Sequence, residues 1–255
     1  MNDKAVTNWQ ERLAEDAKAV AVNERPQTSN ISLRAGIMNI NGAAVPGNKL
    51  KAVTVAYAFE RTLYTQAFDP NVIVPPDCFA LSLTGIDMVP HPASSDMQNP
   101  DCLTCPQNEW QNNPKRPGKK FKPCKERRRV ILIPADSIKE GEVAKAEMAV
   151  LGIPVTSIKH WANFVNLCAT AYERPPWAML TEISVVPHMQ NQFEVKFEVV
   201  GQVNESMLGE ISALIPQAQA LALTPYEPQT SNKDAEEAAQ TATSEGAAGG
   251  KKRKY

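Results

Sequence analysis

The sequence predicts an α+β protein built on a small antiparallel β-barrel with helices around it. Apolar and polar residues alternate in several segments, which is typical of half-buried strands, while helical spacing dominates parts of the second half of the chain. Residues 84–129 follow neither pattern and are rich in Pro, Asn, Asp and Lys, so we interpret them as a long loop insertion.

Residues 7–22 predict a short amphipathic helix, because four apolar residues recur there at helical spacing. These residues are Trp9, Leu13, Ala17 and Val20. The segment NERPQTSN ends the helix, and we assign residues 1–27 to an N-terminal helical arm.

Three strands are predicted in the first third of the chain, at Ile31 to Ile40, Leu50 to Tyr64 and residues 78–83. The sequence VPGN at 45–48 supplies the turn before the second strand. In that strand, apolar side chains alternate with small or polar ones, namely Val53, Val55, Tyr57 and Phe59 against Thr54, Ala56, Ala58 and Glu60.

In the second half of the chain, the spacing of apolar residues predicts five elements. They are a strand at 130–134, a helix at about 138–150, a helix at 156–172, a β-hairpin at 177–200 and a helical segment at 204–223. The helix that starts near Thr156 and Ser157 has one apolar face, formed by Ile158, Trp161, Val165, Cys168 and Tyr172.

An OB-type barrel fits this order of elements, because its long loops tolerate insertions and its open face binds single strands. A split sheet with helices on one face fits the same order. We assign residues 28–227 to the OB-like core with a zinc-binding insertion at about 84–129. Residues 228–255 are of low complexity and predict a disordered tail.

The net charge of -1 hides a strong asymmetry. Residues 115–129 contain one anion, Glu126, and nine cations, so the segment carries +8 and the rest of the chain -9. The cations are Lys115, Arg116, Lys119, Lys120, Lys122, Lys125, Arg127, Arg128 and Arg129. One basic patch on an acidic body predicts a polyanionic partner at one face.

The cysteine spacing predicts a structural zinc site. Cys102 and Cys105 form a CxxC knuckle, Cys124 can close the ring, and Cys78 supplies a fourth thiolate, with His91 as the rival ligand. Free thiols at a chance spacing are one alternative. A redox CxxC is another, and it is disfavoured because the motif lies in a Pro- and Asn-rich loop. The fifth cysteine, Cys168, is predicted to lie in the core.

Cations track phosphates without reading sequence, and aromatic rings stack on bases of any identity. We therefore expect the nine cations to contact nucleic acid together with Trp110 and Phe121. Tyr57, Tyr64 and Phe68 are second-rank candidates for stacking.

The sequence contains no GxxxxGK[ST], GxSxG or HExxH motif, and its three histidines have no evident partners in sequence. We therefore expect no enzymatic activity. No apolar run is long enough to span a membrane, and the N-terminus has no signal-peptide core, so we expect a cytoplasmic protein.

The segment from CPQNEW through GKKFKPCKERRRVILIP, preceded by PPDCFAL and followed by IPVTSIKHWANFV, resembles tailed-phage single-stranded-DNA-binding proteins. The resemblance covers most of residues 30–225 and implies a role in phage replication or recombination. A zinc-bearing insertion in an OB barrel is also similar to the helix-destabilising proteins of T-even phages. Their zinc site uses one His and three Cys, which implies His91 in place of Cys78.

The C-terminus departs from that family, whose members usually end in an acidic tail that recruits replication proteins. From Pro228 onward this chain has five cations and four anions and ends in KKRKY. A basic tip would add DNA contacts, and acidic autoinhibition is not implied.

Together these observations predict sequence-independent binding of single-stranded DNA in phage replication or recombination, with replication or recombination proteins as further partners of the tail. The alternative is a zinc-ribbon adaptor that binds host RNA polymerase or another protein. An enzyme acting on nucleic acid is the weakest reading.

Overall fold

The computed structural model describes residues 28–66, 74–114 and 116–226, together with Trp9, Arg12 and Leu13. Those three residues are helical, and the rest of the predicted N-terminal helix lies outside the described residues. Lys115, Phe68 and the predicted tail also lie outside them.

The chain forms two compact units. The sheet unit comprises residues 28–61, 81–86 and 125–224, and the cysteine unit comprises the described residues of 62–80, 87–124 and 225–226. These limits differ from the predicted insertion at 84–129. Residues 125–129 belong to the sheet unit. The described residues of 62–80, which include the start of the third predicted strand (78–83), belong to the cysteine unit.

The α+β class is confirmed, and the sheet is strongly curled, with the form of half a barrel. The strands are β1 (Ser29–Ser32), β2 (Asn39–Ile40), β3 (Ala43–Ala44), β4 (Lys49–Leu63), β5 (Cys78–Ser82), β6 (Gln111–Asn112), β7 (Lys120–Phe121), β8 (Lys125–Pro134), β9 (Ala149–Ile153), β10 (Met179–His188) and β11 (Gln192–Gln202). The helices are α1 (Ile158–Ala171), α2 (Glu205–Ala213) and α3 (Ile215–Ala222).

Within the described residues, nine strands pair in one sheet in the order β11-β10-β4-β8-β9-β1-β2-β3, with β5 paired to β4. Strands β6 and β7 form a separate hairpin. The sheet differs from the expected antiparallel barrel of about six strands in its strand number and in one parallel pair, β1 with β9.

The predicted strand from Ile31 to Ile40 is interrupted. Its residues form the end of β1, a 3-10 turn at Arg34–Gly36 and the short strand β2. The backbone reverses at Ala35 and Gly36, whose φ angles are 52° and 76°. Alternating apolar residues therefore belong here to two antiparallel strands instead of one.

The predicted helix at about 138–150 is wrong. The segment contains two 3-10 turns, Ala135–Ser137 and Val143–Lys145, separated by Gly141 at a φ of 76°, and it ends in β9. Ala149, Leu151 and Ile153 alternate inward along β9 and are fully buried. Strand pairing with β8 and β1 overrides the local helical spacing.

The helix at 156–172, the hairpin at 177–200 and the helical segment at 204–223 were predicted correctly, with small adjustments, whereas β8 begins at Lys125, five residues before the predicted strand at 130–134. Helix α1 buries Trp161, Phe164 and Cys168, whereas Tyr172 is exposed. The predicted cap residue Ser157 caps no helical N–H, and its hydroxyl accepts a hydrogen bond from Val195 N at 2.9 Å. The segment 204–223 forms two helices that meet at Leu214, one residue before the first turn of α3, which contains a proline.

Strand β8 divides the apolar side chains of the sheet unit into two cores. Val130 and Leu132 pack in the core that includes α1, and Ile131 and Ile133 pack in the core that includes α2 and α3. Successive side chains of a strand point to opposite faces, so the run VILI marks a strand that is covered on both sides.

A buried ion pair joins the two central strands. Glu60 on β4 is 2% exposed, and its Oε1 accepts a hydrogen bond from Arg129 Nη2 on β8 at 2.7 Å. Arg127 Nε lies 3.7 Å from the other carboxylate oxygen. Arg129 Nη1 also donates to the carbonyl oxygens of Ala222 and Thr224, where α3 ends.

We expect Glu60→Gln and Arg129→Met each to lower the free energy of unfolding by about 3–5 kcal/mol, because each change removes the charged group that lies 2.7 Å from a buried charge. Urea unfolding measures the loss. The control is Glu182→Gln, which breaks the pair between Glu182 and the exposed Lys49 on the same sheet and should change the free energy by at most about 1 kcal/mol. Equal effects of all three variants would contradict the assignment.

Candidate nucleic-acid interface

The segment with nine cations, residues 115–129, which we call the basic run, begins on a small hairpin of the cysteine unit. We call this hairpin the basic hairpin (residues 111–121). Strands β6 and β7 pair Gln111 with Phe121 and Asn112 with Lys120. The connection is closed by hydrogen bonds from Asn113 N to Lys119 O at 2.8 Å and from Lys119 N to Arg116 O at 3.1 Å. Arg116 and Lys119 therefore lie on a hydrogen-bonded turn, and Lys120 lies on the strand that follows it.

Three cations of the basic hairpin, Arg116, Lys119 and Lys120, are exposed. At its base, Lys122 Nζ lies 5.7 Å from the centroid of the Trp110 ring and 3.5 Å from Asn108 Oδ1. The Trp110 side chain is 64% exposed. An accessible aromatic ring and a further cation thus lie directly next to a hairpin that carries exposed cations.

The second aromatic candidate of the insertion, Phe121, is half-buried. Of the second-rank candidates, Tyr57 packs edge-on against Trp161 at 5.3 Å and belongs to a core of the sheet unit. Tyr64 is 42% exposed and lies in the cysteine unit.

The arginines at the end of the basic run make internal contacts. Arg129 is buried on Glu60, and Arg127 lies beside the same carboxylate. A Cβ atom at Gly152 would lie 2.6 Å from Arg127 Nη2, so the guanidinium occupies space that a side chain on β9 would fill. These two arginines, predicted to contact nucleic acid, are engaged within the sheet unit.

Arg128 is also held. Its Cζ lies 4.1 Å from the centroid of the Phe59 ring, and its Nη1 donates to Glu126 Oε1 at 2.9 Å. Only 9% of Arg128 is exposed, whereas Lys125, three residues earlier in the chain, is exposed. The run of cations therefore divides into a first part (115–125), whose described cations are exposed apart from the half-buried Lys122, and a second part (127–129), whose arginines make contacts within the sheet unit.

All four predicted zinc ligands lie in the cysteine unit, with Cys102 and Cys105 buried and Cys78 and Cys124 half-buried. Their loops are joined by backbone hydrogen bonds. Cys102 N donates to Met88 O at 3.0 Å, and Cys124 N donates to Gln107 O at 2.9 Å. In the part of the chain that the structure describes, no three His, Cys, Asp or Glu side chains are grouped in an arrangement that could hold a metal ion.

The surroundings of His91 bear on its role as the rival ligand. Its ring stacks on Phe79 at 4.9 Å, and its Nδ1 accepts a hydrogen bond from Ala93 N at 3.1 Å. An accepting Nδ1 carries no proton, so a neutral ring carries it on Nε2. A ligating histidine instead donates its second N–H to an acceptor. The contacts of His91 are therefore not those expected of a ligating histidine.

Two histidines have a partner that the sequence did not reveal. Glu194 on β11 lies 3.0 Å from His160 Nε2 on α1 and 3.5 Å from His188 Nε2 at the end of β10. The hydrogen bond with His160 lowers the pKa of Glu194, and Asn191 contributes in the same direction. Proximity in the fold, not in sequence, creates this cluster.

Comparison with protein-family models, with curated proteins and with solved structures found no match to this chain. Among its described residues, none of the helices has the length and apolar character needed to cross a bilayer.

The lowered pKa of Glu194 predicts a pH dependence of stability. A carboxyl whose folded pKa is below its ordinary value of 4.5 stabilises the fold above pH 4.5, and this stabilisation is lost as the pH falls through the lowered pKa. We expect Glu194→Gln to be less stable than the parent above pH 4.5 and the difference to narrow below it.

Urea midpoints at a series of pH values on both sides of 4.5 test this expectation. Glu198→Gln, which removes an exposed carboxylate from the same strand, is the matched control and should show a smaller pH-dependent difference from the parent. If the difference in urea midpoint between the parent and Glu194→Gln stays constant with pH, the stabilising role of the Glu194 carboxylate is refuted.

Proposed function

We propose that the protein binds single-stranded nucleic acid without sequence preference, with single-stranded DNA as the ligand, through the basic hairpin and Trp110. The observation that carries the proposal is the exposed Trp110 ring beside Lys122 at the base of a hairpin whose three described cations are all exposed. The cations would follow phosphates, and the ring would stack on a base.

The internal pairing of Arg127 and Arg129 restricts the proposed contacts to the first part of the basic run. Lys115 and Lys125 are further candidates by position. Proteins that bind single-stranded nucleic acid combine phosphate contacts with stacking on bases. An exposed ring among several cations therefore supports binding that tolerates any base.

Zinc belongs to the proposal as a structural ion. Cys78, Cys102, Cys105 and Cys124 would hold it, since thiolates are the donors that zinc prefers in closed structural sites. Bound there, the ion would stabilise the loops that carry the basic hairpin. We further propose that the curled sheet is an OB-like barrel. We also propose that the protein acts in phage replication or recombination, as the phage resemblance implies.

A second candidate, the zinc-ribbon adaptor, is favoured by a different observation. Leu103 is 77% exposed between the two knuckle cysteines, and Met97 is 58% exposed in the same unit. An adaptor that binds host RNA polymerase or another protein would use such apolar side chains. Leu103→Asp should then abolish capture of the protein partner and leave oligonucleotide binding unchanged.

We expect Lys119→Ala combined with Lys120→Ala to weaken binding of a labelled dT oligonucleotide and to reduce the slope of log Kd against log salt by up to about 0.7 per lost contact. Trp110→Ala should weaken binding by about 5- to 150-fold with little change in slope, which corresponds to the loss of one stacked base. Fluorescence anisotropy at several salt concentrations gives both quantities.

Two controls make this test specific. Lys139→Ala combined with Lys145→Ala removes two exposed cations of the sheet unit and should leave the slope near that of the parent. Duplex DNA should bind far more weakly than the single strand, because its bases are already stacked. Equal binding of duplex and single strand, with no effect of Trp110→Ala, would refute the proposal.

We expect one zinc ion per chain in protein purified without chelator, measured by elemental analysis. Cys102→Ser and Cys78→Ser should each lose the ion, whereas His91→Ala should retain it, because His91 Nδ1 is already an acceptor. Cys168→Ala changes a cysteine of the core and is the matched control that should keep zinc. Absence of zinc from the parent would refute the site.

A further inference from the structure

The cysteine unit contains a cavity of about 220 Å³ whose described lining residues all lie outside the basic hairpin. Three aromatic side chains contribute to its wall, Tyr64, Phe79 and Tyr226. Gln66 and Ser95 are among its polar lining residues. An aromatic wall with amide and hydroxyl groups can recognise a planar polar ring.

The wall is held in place by contacts within the same unit. Phe79 is 2% exposed, and its ring is stacked by His91 and met edge-on by Tyr226 at 5.1 Å. The Asp77 carboxylate accepts hydrogen bonds from the backbone N–H and the hydroxyl of Thr65, at 2.7 and 2.8 Å. These bonds fix the segment between Tyr64 and Gln66.

The chemistry of the cavity selects an uncharged ring. Among the described residues that line it there is one carboxylate, Asp77, and no lysine or arginine, so this lining is unsuited to a phosphate group. The volume is below the roughly 300–1,000 Å³ of pockets for drug-sized ligands, so it suits a single ring system. The Gln66 amide offers both a donor and an acceptor, which suits bases with different edges.

A chain of polar contacts connects the cavity to the basic hairpin. Asp96 N donates to Asp77 O at 2.9 Å, and Gln98 Nε2 donates to Asp96 Oδ2 at 2.7 Å. Gln107 Nε2 donates to Gln98 Oε1 at 3.4 Å, next to Asn108, which accepts from Lys122. Hydrogen bonds between loops of the cysteine unit thus connect the cavity to the base of the basic hairpin.

We propose that the cavity binds one nucleobase of the strand whose backbone lies along the basic hairpin. The inference rests on the proposed function and adds a second aromatic contact to it. Tyr64 stacks on the inserted base, and the Gln66 amide hydrogen-bonds its edge. The cavity therefore contributes affinity that does not depend on salt.

The test compares Tyr64→Ala with Tyr64→Phe in the full chain, using the same labelled dT oligonucleotide. Loss of the ring should weaken binding by about 5- to 150-fold with the salt slope unchanged. Tyr64→Phe keeps the stacking face and should bind like the parent. Photocrosslinking of the parent protein to an iodouracil-substituted oligonucleotide, followed by mass spectrometry, should give adducts at Tyr64 or Tyr226, and this readout needs no variant to fold.

The outcomes separate the two proposals. If Trp110→Ala weakens binding while Tyr64→Ala does not, and the crosslinks map only to the basic hairpin, the cavity inference is overturned and the proposed function stands. If the parent protein binds no oligonucleotide, the proposed function fails and the inference fails with it. If Tyr64→Phe binds as weakly as Tyr64→Ala, the contact is the hydroxyl, and stacking is refuted.

Discussion

The buried carboxylate of Glu60 fixes how the centre of the sheet is built. A charge removed from water is tolerated only when it is paired, so β4 and β8 must place Glu60 and Arg129 face to face. The same guanidinium binds the carbonyl groups where α3 ends, and Arg127 brings β9 close at Gly152. One charge in the core thus contacts or positions three strands and one helix end, and it holds Arg127 and Arg129 within the sheet unit.

Elements with a single strong periodicity could be predicted from the sequence, and those governed by distant pairing could not. Strand β4, helix α1 and the β10–β11 hairpin carry their own pattern, and their limits agree closely with the structure. Strand β9 does not, because the partners that bury Ala149 and Leu151 are β1 and β8. A local window contains neither partner, so its helical spacing was misleading.

The candidate site divides in the same way. Charge density and the cysteine spacing indicated the cysteine unit and its hairpin, since both signals are local. They could not separate the exposed Lys119 from the buried Arg129, because the partner of Arg129 lies 69 residues away. Glu194 and His160 are likewise 34 residues apart, and Tyr57 packs against Trp161, which lies on another element. Cations adjacent in sequence therefore have unrelated roles.

The parallel pairing of β1 with β9 also constrains the order of events during translation. Ser29 pairs with Ala149, a separation of 120 residues. At about 5–20 residues per second, the ribosome delivers the partner strand roughly 6–24 s after β1. Of the two described partners of β1, β2 alone is available until then, through Ile31 and Ile40. Among the described strands, β1 is thus the first to leave the ribosome, and it meets β9 only after 120 further residues have been translated, so its apolar side chains stay accessible to chaperones during that time.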